Sequence, residues 1–158
     1  MELIDLLRWL HVIGACVLLG TGAGIAFFML MAKRTGKPAL IAHVASTVVI
    51  ADMLFTATAV IALPVTGYLL ARATGWPMTE GWIALSLVLY IVIGLFWLPV
   101  LWIQIRLRDM ARQADADGSA LPDRFHRLSR IWFVFGFPAF ASVLAIVWLM
   151  LARPDLSF

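Results

Sequence analysis

Residues 82–105, WIALSLVLYIVIGLFWLPVLWIQI, decide the fold of this chain. From Trp82 to Ile105 no side chain is charged, and the stretch exceeds the roughly 20 residues that a helix needs to cross a hydrocarbon core of about 30 Å. Backbone groups inside a bilayer must find their hydrogen bonds within the segment itself, which a helix provides. The stretch therefore predicts a membrane-spanning helix.

The same pattern occurs three more times along the chain. Of its 158 residues, 63% are hydrophobic and 13% are charged, whereas a soluble domain carries about 25% charged residues. The mean hydropathy is +0.99. We therefore predict an all-α polytopic membrane protein, an antiparallel bundle of four transmembrane helices in one domain, residues 1–158. The predicted spans are about 9–32, 48–71, 82–105 and 131–152.

Basic residues are concentrated in the two loops that follow the first and third spans. Nine of the twelve lie there: Lys33, Arg34, Lys37, Arg106, Arg108, Arg112, Arg124, Arg127 and Arg130. Because basic loops remain in the cytoplasm, this asymmetry predicts a multi-pass protein of the cytoplasmic (inner) membrane with both basic loops in the cytoplasm and both termini outside. Nucleic-acid binding is not indicated, since no groove-reading or aromatic partners accompany the basic residues on a soluble surface.

Tryptophans are predicted at both membrane interfaces, because an indole is apolar with one polar edge. The outer group is Trp9, Trp76, Trp82 and Trp148, and the inner group is Trp102 and Trp132. Trp97 lies deeper, and packing is the expected reason. Three prolines within spans, Pro64, Pro99 and Pro138, are interpreted as kinks, with a gate or cofactor pocket as the alternative. A bilayer tolerates such prolines when neighbouring groups satisfy the freed carbonyl.

His11 is the first candidate functional residue. At 100° per residue it shares a helix face with Ala15, Leu18 and Gly22, so the imidazole stands above small residues. This arrangement leaves room for a flat group such as haem, and it equally suits close packing with His11 bonded to a neighbouring carbonyl. Tyr68 and Met150 are the nearest plausible partners at the same depth.

His43, His126 and Asp109 are predicted to lie in one layer at the cytoplasmic side. Two neutral imidazoles at equal depth could hold a haem iron axially, or bind a transition metal together with Asp109. The alternative is that the segment RFHRLSR, residues 124–130, is a basic juxtamembrane segment that binds anionic headgroups.

Asp52 is the third candidate, because it lies several residues inside the second span, where a carboxylate is expensive. Thr56 and Thr66 share its helix face. Its role is left open between proton transfer, an ion site and a structural bond to a partner such as Gln104 or Arg106. No nucleophile–base pair, phosphate loop, CxxC or HExxH motif occurs, so the sequence does not decide whether the protein is an enzyme.

Four blocks of sequence carry a resemblance to a known family. They are LRWLHVIGACVLLGTG (7–22), HVASTVVIADMLFTATAVIALPVTG (43–67), GWIALSLVLYIVIGLFWLPV (81–100) and FHRLSRIWFVFGFPA (125–139). Nearly end to end, the chain resembles a bacterial family of predicted integral membrane proteins, the domain of unknown function numbered 2269. The resemblance implies a membrane protein and no particular activity.

The first helix is also similar, more distantly, to four-helix membrane proteins of the HemJ protoporphyrinogen-oxidase type and of the copper-resistance-protein-D group. The similarity consists of a histidine in an LHxI setting, Gly22 eleven residues later, and a basic residue that closes the span. This resemblance implies haem b at His11. The HemJ pattern also has a functional lysine in its third helix, which this chain lacks, and the difference argues against protoporphyrinogen oxidation.

Two functional hypotheses result. The first is a small haem-binding or redox-linked membrane protein whose ligands come from His11 or from His43 and His126. The second is a non-redox transport or accessory protein that uses Asp52. Under both hypotheses the chain contacts the lipid bilayer, and spanning faces rich in Gly and Ala suit a homo-oligomer or a partner membrane subunit.

Overall fold

The computed structural model of the protein describes residues 2–156, and this part of the chain is helical without any strand. Five α-helices are present: α1 (Leu3–Arg34), α2 (Pro38–Ala51), α3 (Ala57–Thr74), α4 (Gly81–Ala116) and α5 (Asp123–Ala152). A π-helical turn (Asp52–Thr56) joins α2 to α3, so that residues 38–74 form one continuous rod.

Four of these segments are long and apolar enough to cross a membrane, which confirms the predicted all-α architecture. They are α1, the continuous rod of 37 residues, α4 and α5, and their most apolar windows have mean hydropathies of 2.1 to 2.5. α4 contains 36 residues, more than the roughly 20 needed to span. It therefore extends past the apolar stretch into the segment that carries Arg106, Arg108 and Arg112.

The connections between the rods are short and depend on glycine and proline. Gly36 has φ 64° in the turn between α1 and α2, a conformation that side chains with a Cβ disfavour. Pro38 then occupies the first turn of α2, where its missing N–H costs nothing. Pro122 directly precedes α5, which begins at Asp123.

α1 packs against α2, α3 and α5, while α4 packs against α2 and most extensively against α5. The largest apolar core draws residues from α1, α2, α4 and α5, including Met29, Ala45, Leu107 and Phe125. It lies towards the turns 35–37 and 117–122, which we call the basic end of the bundle. Leu156 lies against Gly81 at the other end, which we call the opposite end.

Two of the tryptophans predicted at the membrane interfaces are covered by the bundle itself. Trp9, Trp76, Trp102 and Trp148 are exposed as predicted, but Trp82 and Trp132 are only 7% and 6% exposed. Trp132 belongs to the core at the basic end, and its indole N–H bonds to Gln104. A polar partner inside the bundle therefore replaces the interfacial water that the sequence-based prediction assumed.

Pro64 illustrates how the bundle accommodates a proline within a span. Because Pro64 has no N–H, the Val60 carbonyl four residues earlier loses its helical partner. The Tyr90 hydroxyl on α4 donates a hydrogen bond to this carbonyl. A side chain of one helix therefore completes the backbone hydrogen bonding of another, as prolines in membrane helices require.

Candidate functional site

Asp52 is the first residue of the π-helical turn and is 3% exposed. In this turn the Ala57 N–H bonds to the Asp52 carbonyl, five residues earlier, instead of the four residues of an α-helix. Such turns are rare and occur frequently at functional sites. The bundle therefore combines an unusual backbone and a buried carboxylate at one position.

Three side chains from the opposing helices build a hydrogen-bonded cluster on this carboxylate. The Trp97 indole N–H donates to Asp52 Oδ1 over 3.3 Å, and the Gln104 amide donates to Asp52 Oδ2 over 3.3 Å. Trp132 on α5 donates in turn to Gln104 Oε1 over 3.2 Å. We call Asp52, Thr56, Trp97, Gln104 and Trp132 the Asp52 cluster.

Donation within the Asp52 cluster runs in one direction. The Trp132 indole N–H can only donate a hydrogen bond, and the Gln104 side-chain oxygen accepts it. The Gln104 amide N–H in turn donates a hydrogen bond to Asp52. Gln104 is fully buried, so both of its functional groups are occupied without water. Both carboxylate oxygens therefore act as acceptors, the arrangement suited to an ionised carboxyl group.

The charge of Asp52 has no ion-pair partner among residues 2–156. The ion pairs in this part of the chain join Asp5 to Arg8 and Asp109 to Arg108. Of the two partners considered from the sequence, the structure provides Gln104 and not Arg106, whose guanidinium lies 5.4 Å from the Trp102 ring centroid. The carboxylate is thus surrounded by neutral N–H donors.

Thr56 is the unsatisfied member of the Asp52 cluster. It ends the π-helical turn, is 5% exposed, and lies beside the Asp52 carboxyl group. Within residues 2–156 its buried hydroxyl meets no partner at strict hydrogen-bonding distance and angle, and its polar contact is the Asp52 carboxyl group. Leaving a buried hydroxyl unpaired costs about 1–3 kcal/mol, so this position calls for an explanation.

His11 makes a simpler contact near the opposite end. Its Nδ1 lies 3.0 Å from Thr66 Oγ1, and the Thr66 hydroxyl donates to the Ala62 carbonyl over 2.7 Å. A hydroxyl has a single proton, so His11 Nδ1–H is the donor when the Thr66 proton lies on the Ala62 carbonyl, and Nδ1 is the acceptor when that proton turns to the imidazole. A Cβ added to Gly67 would lie 3.1 Å from His11 Cε1. The imidazole therefore packs closely on α3, bonded to a hydroxyl where a carbonyl was expected.

The remaining predicted site residues lie on exposed faces. His43 and His126 are both exposed, on α2 and α5, and His126 packs edge-on against Phe125. Asp109 is bound to Arg108 at 2.8 Å, and the exposed Tyr68 accepts a hydrogen bond from Arg72. Residues 2–156 contain no group of three or more His, Cys, Asp or Glu side chains placed to hold a metal ion. Haem or metal ligation by these residues remains a prediction.

Trp97 and Trp132 were not recognised as site residues from the sequence. For Trp97 a signal existed, because Trp97 and Gln104 are seven residues apart and so lie on one face of α4, two turns apart. That face meets the π-helical turn. For Trp132 there was no comparable signal, since its partner lies on another helix.

Four apolar helical rods around a buried polar cluster define a polytopic integral membrane protein. The chain belongs to the family described as predicted integral membrane protein (DUF2269), which matches residues 5–154. No curated protein and no solved structure matches the chain. Function must therefore be inferred from the chain's own residues.

Proposed function

We propose that the protein is a proton-handling membrane protein, acting in transport or as an accessory subunit, and that Asp52 is the group that binds the proton. One observation carries the proposal: a 3% exposed carboxylate inside a span receives N–H donors on both oxygens and lies beside an unpartnered hydroxyl. A charged side chain costs about 2.5–3.5 kcal/mol to insert at the centre of a spanning helix, and Asp52, several residues inside the span, incurs part of that cost. A purely apolar side chain would avoid that cost.

Thr56 provides the second state that proton exchange requires. When Asp52 is ionised, both oxygens accept from Trp97 and Gln104, and the Thr56 hydroxyl can turn its proton towards the carboxylate. When Asp52 is protonated, its O–H needs an acceptor, and the unpartnered Thr56 oxygen is beside it. The same five side chains therefore accommodate either state with small movements.

A proton fits this cluster better than a metal cation does. A cation that leaves water must replace its hydration shell with several oxygen ligands. Around Asp52 the nearest side-chain groups from the opposing helix are instead N–H donors of Trp97 and Gln104, which repel a cation. A proton needs a single oxygen lone pair, which the carboxyl group itself supplies.

The orientation in the membrane belongs to the same proposal. The basic end carries nine of the twelve Lys and Arg residues, which favours its placement in the cytoplasm of a bacterial cell. Asp52 lies nearer to this end, so the proton would exchange with the cytoplasmic side. Cysteine-accessibility labelling of Gly118→Cys in the turn after α4 measures this orientation, and labelling from outside intact cells would reverse it.

Infrared difference spectroscopy of the protein in lipid tests the role of Asp52. On acidification we expect a carbonyl stretch of a protonated carboxylic acid that shifts in D₂O, and we expect Asp52→Asn to remove it. Asp109→Asn is the matched control, because it also removes one carboxylate, but one that is exposed and paired with Arg108. A band that persists in Asp52→Asn, or that disappears only in Asp109→Asn, would sink the proposal.

Haem binding at His11 is a second candidate, favoured by one observation. His11 Nδ1 contacts the Thr66 hydroxyl, and the tautomer that donates from Nδ1–H leaves a lone pair on Nε2, as in histidines that ligate a metal. The visible spectrum of the purified protein, oxidised and reduced, is the test. A Soret band abolished by His11→Ala supports ligation there, and one abolished by His43→Ala or His126→Ala moves the ligand to the basic end. A colourless preparation rules haem out.

A further inference from the structure

A groove at the basic end lies between the end of α1 and the start of α5. Its volume is about 450 Å³, and Ile41 of α2 forms part of its floor. This is within the range of about 300–1,000 Å³ typical of small-ligand sites. The Asp52 cluster borders the groove only through Trp132, so the groove is a separate site.

The rim of the groove is cationic. Lys33 from α1 and Arg130 and His126 from α5 all line it, and its lining residues include no Asp or Glu. Lys33 and Arg130 also have no carboxylate partner among the ion pairs of residues 2–156. Two cationic side chains therefore line one cavity, and neither has a carboxylate partner in this part of the chain.

The remaining wall of the groove is apolar and faces outwards. Leu30, Phe133 and Val134 line it, and Phe133 and Val134 are among the large hydrophobic side chains exposed on the bundle surface. In a bilayer these exposed side chains contact acyl chains. The groove thus combines a charged rim at headgroup depth with a wall that continues into the hydrocarbon region.

We propose that this groove is a binding site for an anionic phospholipid. The phosphate lies between Lys33 and Arg130, and one acyl chain follows Phe133 and Val134 towards the bundle centre. Basic pockets between spanning helices are suited to such headgroups. A soluble anion would use the rim alone and leave the apolar wall unoccupied, whereas a phospholipid uses both.

Native mass spectrometry of the detergent-solubilised full chain tests the site. The protein is titrated with phosphatidylglycerol and with phosphatidylcholine of the same acyl chains. Each Lys or Arg near a membrane surface contributes about 1 kcal/mol towards anionic lipid, so Lys33→Gln with Arg130→Gln should weaken binding of the first phosphatidylglycerol roughly thirtyfold. Phosphatidylcholine binding should not change.

The matched control is Arg34→Gln with Arg127→Gln. Both residues are exposed and lie outside the groove lining. Arg34 follows Lys33 on α1, and Arg127 lies on α5 with Arg130, so the control removes the same charge from the same end of the bundle. It should retain the wild-type preference. Equal losses in both double variants would mean diffuse attraction and overturn the proposal, as would no loss in either.

A third titration separates a phospholipid from a free phosphate compound. Glycerophosphoglycerol is the deacylated form of phosphatidylglycerol and keeps its single phosphodiester charge, and we expect it not to compete with phosphatidylglycerol at equal concentration. Competition at equal concentration would show that the apolar wall contributes nothing and would overturn the lipid assignment. Circular dichroism of each variant confirms that the four rods remain folded.

Discussion

Asp52 and His11 are both ionisable residues within apolar spans, and the bundle surrounds them differently. Asp52 is almost fully buried and has partners from α4, with a further connection to α5. His11 is half-buried and has one side-chain partner, Thr66, whose hydroxyl also bonds to its own helix. The first site depends on residues contributed by other helices, and the second needs only two neighbouring helices in contact. A buried charge must be solvated by the protein, whereas a neutral imidazole near an interface needs little.

The largest expected effect is the loss of the Asp52 carboxylate. Asp52→Ala leaves the Trp97 and Gln104 donors unpaired inside the bundle, and each unpaired donor costs about 1–3 kcal/mol. We expect the free energy of unfolding in mixed micelles to fall by about 2 kcal/mol or more. His11→Ala leaves the Thr66 hydroxyl bonded to the Ala62 carbonyl and should cost less. A larger loss for His11→Ala would reverse the comparison.

The second-largest expected loss of stability concerns the Val60 carbonyl, which lies between Asp52 and His11 in the bundle. Tyr90→Phe removes the donor that replaces the missing N–H of Pro64, and we expect a loss of about 1 kcal/mol. In a Pro64→Ala background the backbone N–H gained at that position can bond to Val60 itself, so the same Tyr90→Phe change should cost much less. A double-mutant cycle measures this difference. Equal costs in both backgrounds would show that the tyrosine does not substitute for the helical bond.

The smallest effect concerns the packing of His11 on α3. Gly67→Ala places a Cβ 3.1 Å from His11 Cε1, a distance that requires the ring to shift. Gly94→Ala is the control, because a Cβ at that position meets nothing within 4 Å. The substitution itself favours the helix by about 1 kcal/mol, since alanine has the higher helix propensity. We expect Gly67→Ala to be less stable than Gly94→Ala by about 1 kcal/mol. If the two variants are equally stable, the histidine is not closely packed.

The fold was predictable because hydropathy and length determine which segments span a membrane. Rotation of each helix about its own axis was less predictable, because a helix that is apolar on all sides offers no polar face to orient it. Asp52 and Gln104 were recognised from the sequence because polar side chains within a span face the bundle interior. The direction of Trp132 could not be predicted in this way, because an indole is found both at interfaces and in cores. The π-helical turn at Asp52–Thr56 has no signal in the residue pattern.

Pro64 shows the same limit at the level of the backbone. A proline in a helix leaves the carbonyl four residues earlier without its hydrogen-bond donor. The sequence alone therefore shows that Pro64 frees the Val60 carbonyl. The sequence does not show which side chain supplies the replacement donor. Tyr90 reaches the Val60 carbonyl only because α3 and α4 pack together. The sequence therefore predicts the unpaired Val60 carbonyl, and the packing of the helices determines which side chain donates to it.

Trp132 belongs to both the cluster and the groove. Its indole N–H holds Gln104, which in turn donates to Asp52, while its ring forms part of the groove wall. A ligand that displaced the ring would also displace the donor, and lipid binding in the groove and proton binding at Asp52 would then be linked through a single side chain. Such linkage is reciprocal: by whatever factor a bound lipid changes proton binding, a bound proton changes lipid binding by the same factor.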